Sequence, residues 1–179
     1  ENKAPTEALT AELHVVDGIV EGEGDTYQIA LVERHQGTGK VVNGFVSGFG
    51  YTGKMAIAST VAHDSHHMIE VGTDRAMMAA AANRLGEVGG GVTVWKDGEE
   101  LALVELPIAG LMSDSPAAEV AAKADDMVAA MAACGCTLNN AYMQHSLLAL
   151  VVIPSLRISD LGLVDVDKFE ITDIFEENA

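Results

Sequence analysis

The sequence predicts an α+β fold: a mixed β-sheet with two Asp-Gly hairpins and two to three helices. Three observations predict it. Two dipeptides, Asp17-Gly18 and Asp97-Gly98, each separate a pair of apolar, strand-like runs. Alanine- and methionine-rich stretches with helical character follow Thr73 and Ser115. Strand and helix patterns are intermixed, without the regular alternation that a doubly wound Rossmann domain or a TIM barrel requires. No internal repeat, low-complexity tract or long linker divides the chain, so residues 1–179 read as one domain.

The elements follow in order. AELHVV, Asp17-Gly18 and IVEGE form a hairpin, because Asp-Gly supplies the positive φ angles of a tight turn. TYQIALVER is a strand ending in Glu33-Arg34-His35, and a further strand runs through VNGFVSG. MAIASTVA and HMIEVGT are two more strands, so Ala62-His63-Asp64-Ser65-His66-His67 lies at the turn between them. A helix spans about Asp74–Val88, with Thr73 as N-cap and Gly89-Gly90-Gly91 as its stop. VTVWK, Asp97-Gly98 and ELALVELP form the second hairpin, and PIAGLMSD is a loop. Ser115 caps a second helix with Pro116 at its first position, running to about Cys134. A third spans about Asn140–Ala149, with apolar Tyr142, Met143, Leu147, Leu148 and, just beyond, Leu150. LRISDLGLVDVDKFEITD makes short strands and turns, and EENA frays.

Composition bounds the function. The chain is 49 % apolar with a formal charge of −17, so it folds and repels phosphate backbones and anionic membranes. Nucleic-acid binding is excluded on that basis, and no apolar run is long enough for a membrane span. Cys134 and Cys136 read as buried thiols in a reducing, cytoplasmic compartment. The opening ENKAPTEAL, without an initiator Met or a leader, reads as the interior of a longer protein.

Two glycine motifs fail their structural contexts. Gly48–Gly53 matches GxGxxG but precedes a strand pattern, where a dinucleotide site needs a helix. Gly37-Thr38-Gly39-Lys40 lacks the Ser or Thr that a phosphate loop uses for magnesium. AHDSHH is different: it holds three of the chain's six histidines. His63 and His66 can carry protons near neutrality, and with Asp64 they form a possible metal-ligand set. A polar turn with Asp64 and Ser65 bonding the backbone is the alternative. Glu33-Arg34-His35 reads as an exposed ion pair, His145 as a hydrogen-bonded histidine, and Met77, Met78, Met127 and Met131 as core filler. The zinc nucleobase-deaminase signature is absent.

ALVERHQGTG, GFVSGFG, IASTVAHDSH, LPIAGLMSD and VIPSLRISDLGLVDVDKFE, in that order, resemble the carboxy-terminal domain of bacterial adenine deaminases, from about Leu9 to Phe175. The family is similar to the amidohydrolases. The resemblance implies a metal-dependent hydrolase of purine salvage that converts adenine to hypoxanthine and ammonia. Manganese or iron sits in an amino-terminal (β/α)₈ barrel absent from this chain, where a metal-activated water attacks C6. No metal is expected in this chain, His63, Asp64 and His66 being the fallback set. The resemblance further implies a homo-oligomer and adenine as the ligand, with this chain inactive alone. His63, Asp64 and His66 are then the candidate catalytic residues, Ser65 and His67 substrate contacts, and Glu33, Arg34 and His35 supports for the loop. Three positions depart from the family pattern: His67 where Asn is usual, Val151 or Val152 where Pro is usual, and His145 where an apolar residue is usual. A structural or oligomerisation domain and an independent metal-binding module remain as alternatives.

Overall fold

The computed structural model describes residues 4–176. The first hairpin joins β1 (Val15–Val16) to β2 (Ile19–Val20), with Asp17 and Gly18 at φ 51° and 77°. There follow β3 (Thr26–Val32), β4 (Val41–Ser47), β5 (Met55–Ser59) and β6 (Met68–Gly72). Helix α1 (Arg75–Val88) leads into the second hairpin, β7 (Gly91–Lys96) and β8 (Glu99–Glu105). Then come α2 (Ala117–Ala133), α3 (Ala141–Leu147) and the strands β9 (Leu156–Ile158), β10 (Leu163–Asp165) and β11 (Glu170–Thr172).

Six strands form the main sheet in the order β4-β3-β6-β5-β7-β8, and β9 to β11 form a separate meander. The α+β class holds, with no closed barrel among the described residues. Every neighbouring pair in the main sheet is antiparallel, so the sheet is not mixed. The reason is that β5 lies between β6 and β7, the two strands joined across α1. Those two run parallel but never touch.

The two sheet faces differ in side-chain size. Ala30, Ala56, Ala58 and Met68 face α1, where they meet Met78, Ala81 and Leu85. Small residues let the helix approach closely; a Cβ added at Gly72 would come within 2.6 Å of Met78. The alternate residues Ile29, Leu31, Ile57, Ile69, Val71 and Val94 face the other way. There they pack on Met127, Ala130 and Met131 of α2, Ala141 of α3 and Ile158 of β9. Cys134 and Cys136 are free buried thiols, and Met78, Met127 and Met131 fill the core. Among the described residues no helix is long and apolar enough to cross a membrane.

Three helix boundaries differ from expectation. Asp74, not Thr73, caps α1: its Oδ1 accepts from the Met77 amide at 3.1 Å. Thr73 is committed elsewhere, its hydroxyl donating to the Gly53 carbonyl and accepting from the Met55 amide. Pro116 itself occupies the N-cap of α2 and Ser115 makes no cap bond. α3 is shorter than Asn140–Ala149, because its end is diverted to a buried arginine: the Leu147 carbonyl accepts from Arg157, as do those of Ile153, Pro154 and Ala4. GxGxxG forms a loop before β5, its glycines at positive φ and its Gly48 and Gly50 amides bound by Asp25. Beyond Glu176, the expected fraying of EENA lies outside the described residues, as does the start of ENKAPTEAL.

Two buried titratable groups shape the pH dependence. His145 on α3 bonds the Tyr51 hydroxyl at 2.7 Å, and burial lowers its pKa to about 3. Glu70 sits mid-strand between Ala30 and Ala58, with no hydrogen-bond or ion-pair partner for its carboxyl among the described residues; burial raises its pKa to about 8. His145 has a depressed pKa, so its stability contribution is complete above the unfolded value near 6.5 and is lost as pH falls toward 3. The raised pKa of Glu70 gives a contribution complete below the unfolded value near 4.3 and lost as pH rises toward 8. Each contributes a slope of up to about 1.4 kcal/mol per pH unit, and the two oppose each other between about 4.3 and 6.5. Urea titrations should therefore show Glu70→Gln flattening a loss of stability between about pH 6.5 and 8. An unchanged alkaline limb would show that Glu70 ionises freely.

Candidate functional site

The sheet order decides where the polar segments meet. β5 and β6 are its two central strands, and all ten of their residues are buried. Their connection, residues 60–67, therefore emerges at the middle of one sheet end. β3 pairs with β6 through Val32 and Met68, which brings residues 33–35 beside His67. β7 pairs with β8 through Gly91 and Glu105, and with β5 through Val92 and Ser59, so the loop after β8 arrives at the same end. Three segments distant in sequence thus converge by register alone.

Glu33 and Arg34 fix that convergence. The Glu33 carboxylate accepts from the amides of His35, Gln36 and Thr38 at 2.5, 2.7 and 3.0 Å, and from the Thr38 hydroxyl. These donors, the Thr38 amide foremost, hold its pKa at about 2. Arg34 makes no ion pair among the described residues and is not the exposed ion pair expected. Its Nε donates to the His66 carbonyl at 2.6 Å and its Nη2 to the Ala109 carbonyl at 2.9 Å. The planar guanidinium suits two divergent carbonyls. It also covers Gly110, φ 74°, where a Cβ would come within 2.9 Å of it.

Within the 60–67 connection the side chains sort into two layers. The His66 amide donates to the Ala62 carbonyl at 2.7 Å, and the Ala62 amide to His66 Nδ1 at 3.2 Å. His66 takes φ 53°, a left-handed conformation that histidine tolerates better than most residues. The His63 amide donates to the Ser146 carbonyl on α3. The His63 and His66 rings lie 5.1 Å apart, edge to face. The His63 side chain is 34 % exposed and that of Asp64 79 %, with 3.8 Å between His63 Nδ1 and the carboxylate. Ser65 is exposed, and its carbonyl bonds His35 Nε2 at 2.6 Å.

His67 forms the inner layer. Its side chain is 8 % exposed, and its Nδ1 accepts from the Arg34 amide at 3.4 Å. Its ring packs on that of His35 at 4.6 Å, with Nε2 3.7 Å from Asp160. An Nδ1 that accepts leaves the proton of the neutral ring on Nε2, toward Asp160. Burial, the largest cause, lowers the pKa of both His66 and His67 and so favours their neutral rings.

Among the described residues no three His, Cys, Asp or Glu side chains are placed to hold an ion. The fallback ligand set of His63, Asp64 and His66 is not gathered about one point: Asp64 is 79 % exposed with its carboxylate 3.8 Å from His63 Nδ1, and His66 Nδ1 accepts from the Ala62 amide. What the site can do is present a neutral imidazole Nε2–H from His66, the half-exposed His63 ring, and the carboxylate of Asp64. Asp160 and the carbonyls of Ala109 and Ser146 complete it without any signal in the sequence. The SDLG turn and the PIAG loop carry no chemistry until the register brings them here.

Comparison with known proteins shows relatives along nearly the whole chain. The profile of the adenine deaminase C-terminal domain matches residues 3–170. Adenine deaminase of Ruegeria sp. (strain TM1040) is 77 % identical over 176 residues, covering 98 % of this chain and 29 % of that protein. Adenine deaminase of Paracoccus denitrificans (strain Pd 1222) is 75 % identical over 174 residues, 97 % of this chain and 29 % of its own. That of Moorella thermoacetica (strain ATCC 39073 / JCM 9320) is 47 % identical over 171 residues, 94 % of this chain and 28 % of its own. The chain thus spans less than a third of the curated relatives it matches, and over that span it belongs to the adenine deaminase C-terminal domain family.

Proposed function

We propose that this chain serves a longer adenine deaminase as its accessory carboxy-terminal domain, and that residues 62–67 complete the substrate site. The enzyme converts adenine to hypoxanthine and ammonia, as a cytoplasmic homo-oligomer in purine salvage. A manganese or iron ion belongs to the amino-terminal amidohydrolase barrel and there supplies an activated water. The observation that carries the reading is the hydrogen-bonded polar loop at the centre of one sheet end, its two outer histidines only partly buried while His67 beneath them is buried.

The residue roles follow from that layering. His66 donates its Nε2–H to a purine ring nitrogen, because Nδ1 is already an acceptor and burial favours the neutral ring. His63 holds or moves a proton near the departing amino group, and Asp64 orients it. Ser65 is a lesser polar contact. Buried His67 positions the loop and does not touch the substrate. Glu33, Arg34 and His35 hold the loop in register.

In the full-length enzyme, His63→Ala and His66→Ala should each lower kcat/KM for adenine at least about tenfold, the equivalent of ~1.4 kcal/mol of transition-state stabilisation. Values within about twofold of wild type would remove the histidines from the site. Arg34→Lys keeps the charge but cannot span two carbonyls. It should also lower kcat/KM about tenfold. Full activity in that variant would mean the clamp is dispensable.

A further inference from the structure

We infer that the sheet end carrying residues 62–67 is a docking face for the amino-terminal part of the longer polypeptide, with a polar centre and an apolar rim. The inference rests on the reading just proposed and adds the surface that would seal the site. The rim comes from two loops that touch the histidine loop. The loop after β8, tied to Arg34 through Ala109, exposes Ile108 at 45 %, Leu111 at 36 % and Met112 at 58 %. The turn after β9, tied to His67 through Asp160, exposes Leu161 at 66 %.

Single exposed apolar residues need no explanation. Here four of them flank one polar cluster, and the larger group is held rigidly. Ile108 and Met112 exchange amide–carbonyl bonds at 3.1 Å in both directions. The next two carbonyls are also fixed, Ala109 by Arg34 and Gly110 by the buried Thr60 hydroxyl at 2.6 Å. A preorganised apolar turn costs little ordering entropy on docking. An ordinary interface places its apolar residues at the centre and its polar ones at the rim. The reversed order suits closure over a small polar ligand, since an apolar rim excludes water from a polar centre.

The occupant follows from length and charge. The matched part is 28 to 30 % of the relatives, so most of their sequence lies outside it. A second copy of this chain is disfavoured as the occupant, because two surfaces of a domain with net charge −17 repel.

The test uses the full-length enzyme with the photoreactive residue p-benzoylphenylalanine placed at Met112 or, as control, at Phe169, which is 86 % exposed between β10 and β11. After irradiation, peptide mapping should find Met112 joined to peptides from the amino-terminal part and Phe169 not joined to them. Crosslinks from Met112 only to carboxy-terminal domains of other copies, or none at all, would overturn the proposal. His63→Ala measured alongside separates the two readings. Crosslinking with undiminished turnover keeps the docking face and removes the catalytic role; no crosslinking with lost turnover does the reverse.

Discussion

The Arg34 guanidinium, surrounded by backbone carbonyls and paired with no carboxylate among the described residues, is the contact on which the candidate site depends. Each carbonyl it satisfies belongs to a loop that would otherwise leave polar backbone unpaired at the end of an apolar sheet. One planar group spans the histidine loop and the loop after β8, and the amide of the same residue binds His67. Glu33 performs the matching task with the opposite charge, accepting three amides of its own loop. Adjacent residues of opposite charge thus stabilise different loops and do not pair with each other. Arg157 repeats the device after α3, where four carbonyls receive a single side chain.

This economy explains how a short polar loop can be rigid and still present free side chains. The backbone of residues 62–67 is held by Ser146, Arg34, His35 and its own Ala62–His66 bonds, while His67 beneath carries the packing. Of the outer rings only His66 joins that support, through Nδ1, which leaves its Nε2 and the His63 ring outside it. A loop so restrained is suited to precise contact with a small ligand, since the ordering has been completed during folding.

Much of the fold was legible because local chemistry agreed with the global arrangement. Asp17-Gly18 and Asp97-Gly98 turn as their type requires, and the all-buried MAIAS and MIEVG runs are the central strands. What local pattern could not show was competition for the same group. Thr73 reads as a cap, yet its hydroxyl is taken by β5, leaving the cap to Asp74. Glu70 reads only as part of a strand, and its burial comes from the register that sets it beside Ala30 and Ala58 on the face that α1 covers. At the site, the histidine loop was visible from residue type. The division of labour within it was not, because the burial of His67 depends on Asp160 and His35, far away in sequence. Glu33-Arg34 resembled a surface ion pair for the same reason: its true partners are carbonyls and amides, which every sequence contains.

The outer histidines of this loop are proposed to touch the purine. A crystal structure of the full-length enzyme with a bound, non-hydrolysable adenine analogue tests it directly. A ring nitrogen of His63 or His66 should lie within about 3 Å of a purine nitrogen or the C6 substituent, with Arg34 still spanning both loops. Both rings lying beyond reach of the purine, or turned into solvent, would contradict it and leave this family's domain with a purely structural task.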